Sequence, residues 1–153
     1  MRLLLRMSHV LCVAALVVLP VAATAQSGGV GFVKTVTGDA WVTTTGQRVK
    51  AAPGTEVSIG SQIKTASGAS LGITFKDNTV MSFGPDTEMT VDAYLYAPAQ
   101  GQLQLSTSLA KGSLNYVSGV IAKLRPEAVT VKTPSGIIGV RGTQFLAKVE
   151  APQ

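Results

Sequence analysis

The sequence predicts an all-β fold, a single compact β-sandwich or β-roll of many short strands. Three observations lead there. All 16 glycines fall after the first 25 residues and punctuate the chain at short intervals. Between them run short segments in which apolar and polar residues alternate with period two, the mark of strands with one buried and one solvated face. No segment carries a sustained helical period, and no Pro- or Ser-rich linker divides the chain, so one domain is expected.

The first element is an export signal. Arg2 and Arg6 precede an apolar run over residues 10–21, and Ala23-Thr24-Ala25 sets small residues where a signal peptidase reads, so cleavage is expected between Ala25 and Gln26. The run is about a dozen residues, short of the roughly 20 that span a bilayer, so no stable membrane span is expected after cleavage. A flexible leader over residues 26–30, a β domain over 31–149 and a tail over 150–153 complete the plan.

Cleavage has chemical consequences. Removing 25 of the 153 residues leaves 128, and takes with it His9 and Cys12, the sole His and Cys. The remainder has no imidazole or thiol for a catalytic triad, a cysteine nucleophile, a disulfide or a His- or Cys-ligated metal. Loss of Arg2 and Arg6 lowers the formal charge from +5 to +3. The remaining cations are scattered, so they read as a solvated face and nucleic acid is not an expected partner.

Along the domain, Leu71, Ile73 and Phe75 share one strand face. Met89, Val91, Ala93 and Leu95 alternate with Thr90, Asp92, Tyr94 and Tyr96. Leu103, Leu105 and Leu109 oppose Gln102, Gln104, Ser106 and Ser108, and the pattern recurs at Val129-Val131 and at Phe145-Ala147-Val149. Thr45-Gly46, Ser67-Gly68, Asp77-Asn78, Gly84-Pro85-Asp86 and Lys111-Gly112 are expected turns. The one hint of helix lies over residues 117–124, ended by Arg125-Pro126.

Several candidate sites reduce to ordinary roles. Gly28-Gly29-Val30-Gly31 neither follows a strand nor opens a helix, so it reads as leader rather than phosphate loop. Asp77, Asp86, Glu88 and Asp92 are the densest acidic stretch and could serve glycoside hydrolysis or calcium, but turn and strand-surface roles explain them more simply. Lys111 and Ser113 lack the desolvation a Ser-Lys pair needs. Trp41 is expected partly in the core. Tyr94 and Tyr96 fall on the polar side of their strand and form a candidate interaction surface, with packing beneath a neighbouring loop the favoured alternative. No catalytic, cofactor or metal residue is assigned.

The most distinctive segment runs from Thr133 through Ile138-Gly139-Val140-Arg141-Gly142-Thr143 to Phe145. Arg141 sits among apolar residues and glycines in what should be a half-buried strand, where its guanidinium would need a carboxylate or carbonyl partner. The expectation is a structural tie between strands, with a binding residue as the alternative.

These residues carry a resemblance. Thr133-Pro134-Ser135 followed by Ile138–Thr143 resembles the closing motif of the FecR domain, the periplasmic module of FecR-type sigma-factor regulators. Gly38-Asp39-Ala40, residues 60–65, residues 70–77 and Lys111-Gly112 support it over residues 31–149. Ser61 stands where the family usually has Asp, and Asn78 where it has Gly. The resemblance implies a sensory or binding module, whereas the sequence pairs it with a cleavable signal rather than a membrane anchor. The expected function is therefore a non-enzymatic exported FecR-domain protein, binding, scaffolding or sensing in the cell envelope, with an envelope protein or polymer as partner. It is expected in the periplasm, with secretion as the alternative. An accessory role in iron-responsive signalling through a TonB-dependent receptor is the second expectation. A carboxylate-only glycan enzyme is the third, and a subunit of an envelope assembly the fourth.

Overall fold

The computed structural model describes residues 28–150. The signal segment, the Ala25-Gln26 cleavage site and Ala151-Pro152-Gln153 lie outside the described residues. Twelve strands form one sheet that curls on itself, an all-β fold as the alternation predicts. They are β1 (Gly31–Thr37), β2 (Ala40–Thr44), β3 (Gln47–Lys50), β4 (Glu56–Val57), β5 (Gln62–Thr65), β6 (Ser70–Phe75), β7 (Val80–Phe83), β8 (Glu88–Ala97), β9 (Gln102–Val117), β10 (Val129–Thr133), β11 (Gly136–Gly139) and β12 (Gln144–Val149). Val30, assigned by sequence to the leader, is buried. Its N–H bonds Val57 O and its carbonyl accepts Lys76 N–H, so it belongs to the domain.

The 16-residue β9 is the spine. Its C-terminal part pairs antiparallel with β7 on one edge and β12 on the other, in a first half-sheet ordered β4-β1-β6-β7-β9-β12. Its N-terminal part pairs antiparallel with β8 and parallel with β10, in a second half-sheet ordered β3-β2-β5-β8-β9-β10-β11. The inward residues of both halves, including Val33, Ile73, Met81, Ile63, Leu105, Leu109, Leu114 and Val131, make one core.

Lys111-Gly112, expected as a turn, is instead a bend inside β9. Gly112 has φ +93°, and a Cβ there would collide with the backbone of Thr87. Positive φ here redirects a continuing strand from one half-sheet into the other instead of reversing it. Buried Thr87 seals the bend: its hydroxyl accepts Ser113 N–H (3.0 Å) and donates to Gly84 O (2.9 Å).

The other turns follow their sequence more closely. Thr45 (φ +50°) and Gly46 (φ +81°) close the β2–β3 hairpin with two left-handed residues. Asp77-Asn78 lies in a four-residue β6–β7 connection, not a two-residue one, and Asn78 takes φ +64°. The one α-helix among the described residues, α1 (Val120–Leu124), starts three residues later than the expected 117 and stops at Arg125 before Pro126, as expected; short 3-10 turns lie at Pro98–Gln100 and Pro126–Ala128.

The turn aspartate is more than a turn former. Asp77 is fully buried, and its carboxylate accepts Thr79 Oγ1–H (2.7 Å), Thr79 N–H (3.3 Å), Tyr94 O–H (3.2 Å) and Ile121 N–H (3.2 Å). Its carbonyl accepts Val120 N–H (2.7 Å), so one residue ties the first half-sheet to β8 and to α1. Gly119 makes the approach possible, because a Cβ there would strike the backbone at Asp77 and Thr79.

Candidate interaction site

Tyr94 does not form the interaction surface that simple alternation predicts. A β-bulge at Asp92, between the pairs Val91↔Thr107 and Ala93↔Ser106, inserts one residue and reverses the facing of everything after it. Tyr94 therefore turns inward, stacks on Phe75 with ring centroids 5.7 Å apart, and accepts Asp77 N–H (2.9 Å). Burial, and after it the charge of Asp77, pushes the Tyr94 phenol well above its ordinary value. Tyr96 is half-buried against the same core, while Leu95, expected inside, is exposed.

Arg141 is also placed differently from expectation. The segment Ile138–Thr143 leads from β11 in the second half-sheet to β12 in the first. Val140 is its buried plug, with Val140 N–H reaching Val129 O at 3.4 Å. The tie is made by Ser118, whose Oγ donates to Gly142 O (2.6 Å) and whose N–H donates to Thr143 O (2.9 Å). Arg141 itself is exposed and joins no ion pair among the described residues. Backbone carbonyls and a hydroxyl do the stitching, which leaves the guanidinium free.

That arrangement opens a groove of about 370 Å³ between β11 and β12, lined by Thr133, Ile138, Val140, Arg141, Phe145 and Lys148 among others. Both strands are edges: among the described residues β11 pairs only with β10, and β12 only with β9. They diverge from the same side of the spine, so two rows of unpaired backbone groups flank one cleft. Phe145 at its floor stacks on Tyr116 at 5.0 Å. Ile137 and Leu146, at 69% and 76% exposure, stand on the two edge strands. The two cations at the groove have one carboxylate between them, Glu150, 3.5 Å from Lys148 Nζ.

The acidic stretch is dispersed. Asp77 is the buried hub, Asp86 sits in a turn at φ +51°, Glu88 bridges Lys64 (2.6 Å) and Lys111 (3.2 Å), and Asp92 accepts Ser108 Oγ–H (2.6 Å) beside Lys132. Lys111, ion-paired to Glu88, is not a desolvated partner for Ser113. Among the described residues no three His, Cys, Asp or Glu side chains gather as a metal site, and no helix is long and apolar enough to cross a membrane. Neither the β11–β12 cleft nor the Asp77 hub was visible in the sequence. Asp77 offered only its turn propensity, and the cleft depends on two segments splaying from one strand.

A curled, mostly antiparallel sheet, closed by a crossover that leaves two edges on one cleft, defines an all-β module. The family model described as FecR protein matches residues 61–153, more than half of the sequence, and the chain belongs to that family. No curated protein and no solved structure matches the chain. The matched residues begin within the Ser61–Gln62 entry to β5, so β1–β4, which complete the outer strands of both half-sheets, precede the match.

Proposed function

We propose that the chain is a non-enzymatic envelope module, acting in the periplasm, that captures an extended segment of another envelope protein in the β11–β12 cleft. The observation that carries this reading is the pair of unpaired strand edges opening on one groove. An added strand gains main-chain hydrogen bonds there, and alternate side chains gain pockets beside Phe145 and Ile138. Arg141, unpaired at the cleft, supplies a charge-assisted contact for an acidic group on the incoming segment. Membership of the FecR family supports a role in envelope signalling, with an iron-responsive receptor among the partners it could serve.

Photo-crosslinking residues placed singly at Ile137, Leu146 and Glu56 in cells test the reading. Crosslinks to one partner from Ile137 and Leu146, and none from Glu56 on the far edge strand β4, are expected. A partner trapped equally from Glu56, or none trapped from the cleft, would overturn it.

A further inference from the structure

The outer face of the second half-sheet carries an independent surface, on residues that the cleft does not use. Strand pairing sets Arg48, Thr43, Gln62, Thr90, Ser108 and Lys132 side by side in one row across six strands. Their neighbours along each strand, such as Val42, Ile63, Met89, Leu109 and Val131, are buried, so the row faces outward. At about 4.8 Å per strand it spans roughly 24 Å. A cation stands at each end, hydroxyls and an amide lie between, and at the far end Asp92 takes Ser108 Oγ–H (2.6 Å) and pairs with Lys132 (3.4 Å), which leaves the Arg48 end the open one.

The Arg48 end is prepared for an anion. Its guanidinium carbon lies 4.3 Å from the centroid of the Trp41 ring. Stacking on the indole face holds the guanidinium plane and leaves its N–H fork, which lies in that plane, available for bidentate bonds to a carboxylate. Arg48 joins no ion pair among the described residues. Lys50 and Lys64 are the cross-strand neighbours of Trp41 on either side. Around the face, Arg48, Lys50, Lys64, Lys111 and Lys132 meet only Asp39, Glu88 and Asp92. Beyond the row, a shallow trough of about 720 Å³ continues past Gln104, Ser106 and Thr130 to Arg125.

We infer that this face binds an acidic polysaccharide, a chain of uronate sugars lying across the strands, with Arg48 held by Trp41 as its carboxylate anchor. The hydroxyl and amide row matches a polymer dense in hydroxyls. Between β2 and β10 the row lies on paired strands with no free backbone edge for a peptide strand, and the sole tryptophan has one ring face covered by Arg48, which removes that face as a stacking platform for nucleic acid bases.

Trp41 is the only tryptophan in the sequence, so its emission reports on the site directly. Protein purified from cells expressing the full chain is titrated with hexamannuronate at low salt, with dextran, poly-glutamate and oligothymidylate as comparisons. Saturable binding of hexamannuronate that changes Trp41 emission is expected, with no response to dextran. Arg48→Ala, shown to melt like the parent, should bind at least tenfold more weakly, and Arg48→Lys should recover only part of the loss. Lys132→Ala should weaken the hexamer while leaving dimannuronate unchanged. Failure of hexamannuronate to bind, equal binding by Arg48→Ala, or tighter binding of poly-glutamate or oligothymidylate would each overturn the inference. The cleft reading survives any of these outcomes, because its crosslinks come from residues outside this face.

Discussion

The two half-sheets share a spine and a core but present opposite outer faces. Across the first, pairing lines up Glu56, Phe32, Thr74, Val80, Val117 and Gln144, and beside them Gly72, Ser82, Asn115 and Leu146, with Glu56 at the β4 margin the one charged side chain of the two rows. Across the second run Lys50, Trp41, Lys64, Glu88 and Lys111. Alternation makes such a division easy, because inward residues set the fold while outward ones are free to diverge. The difference teaches that the interior fixes where the two faces lie, and each face then carries its own chemistry.

The comparison breaks most completely where the halves are joined. Asp77→Ala removes the acceptor for four hydrogen bonds in a dry site, and a loss of about 3 kcal/mol or more is expected in a urea melt. If the two half-sheets were stable apart, this variant would melt in two steps. Gly112→Ala comes next: a side chain at positive φ costs about 1–3 kcal/mol before any clash with Thr87 is counted. An unchanged midpoint would mean that β9 does not need its bend.

Smaller effects separate the faces by pH. The Tyr94 phenol is raised in the folded state, so the unfolded chain loses its proton first as pH climbs past about 10, and stability falls from there upward. Tyr94→Phe should flatten that alkaline limb, and an identical limb in the variant would count against the Asp77 contact. Glu88 behaves in the opposite sense. Its bond to Lys64 holds it below the ordinary carboxyl value, so its contribution is present above about pH 4.5 and is lost as pH falls. Glu88→Gln should soften the acid limb slightly, and high salt should do the same to the parent. Last, Arg141→Ala should change the stability read from a urea melt by no more than about 0.5 kcal/mol, as for an exposed residue, while reducing capture at the cleft. A large loss of stability would restore the role of a strand tie.

Much of the strand pattern was legible because period-two alternation reflects burial directly, as at Leu71, Ile73 and Phe75. Thr45-Gly46 was legible because its turn needs two left-handed residues. The bulge at Asp92 was not, since one unpaired residue leaves no mark on composition and yet reverses the facing of Tyr94. Gly112 read as a turn because positive φ serves a bend and a reversal equally. The misplacement of Arg141 has a longer range: its expected burial depended on neighbours, and the crossover is secured by Ser118, which bonds Gly142 from 24 residues earlier in the chain.

Because β9 threads both half-sheets, neither can open without disturbing the other. Amide protons at Leu105, Leu109, Leu114 and Tyr116, buried along that strand, should exchange with solvent only when the whole domain unfolds. The β3 and β11 ribbons each hang from one neighbour and should exchange through local fraying, far sooner. The molecule then has a slow-exchanging axis with labile margins, two of them at β3 and β11. One margin carries Arg48 and the other borders the cleft, so both recognition elements ride on backbone that can adjust without the centre giving way.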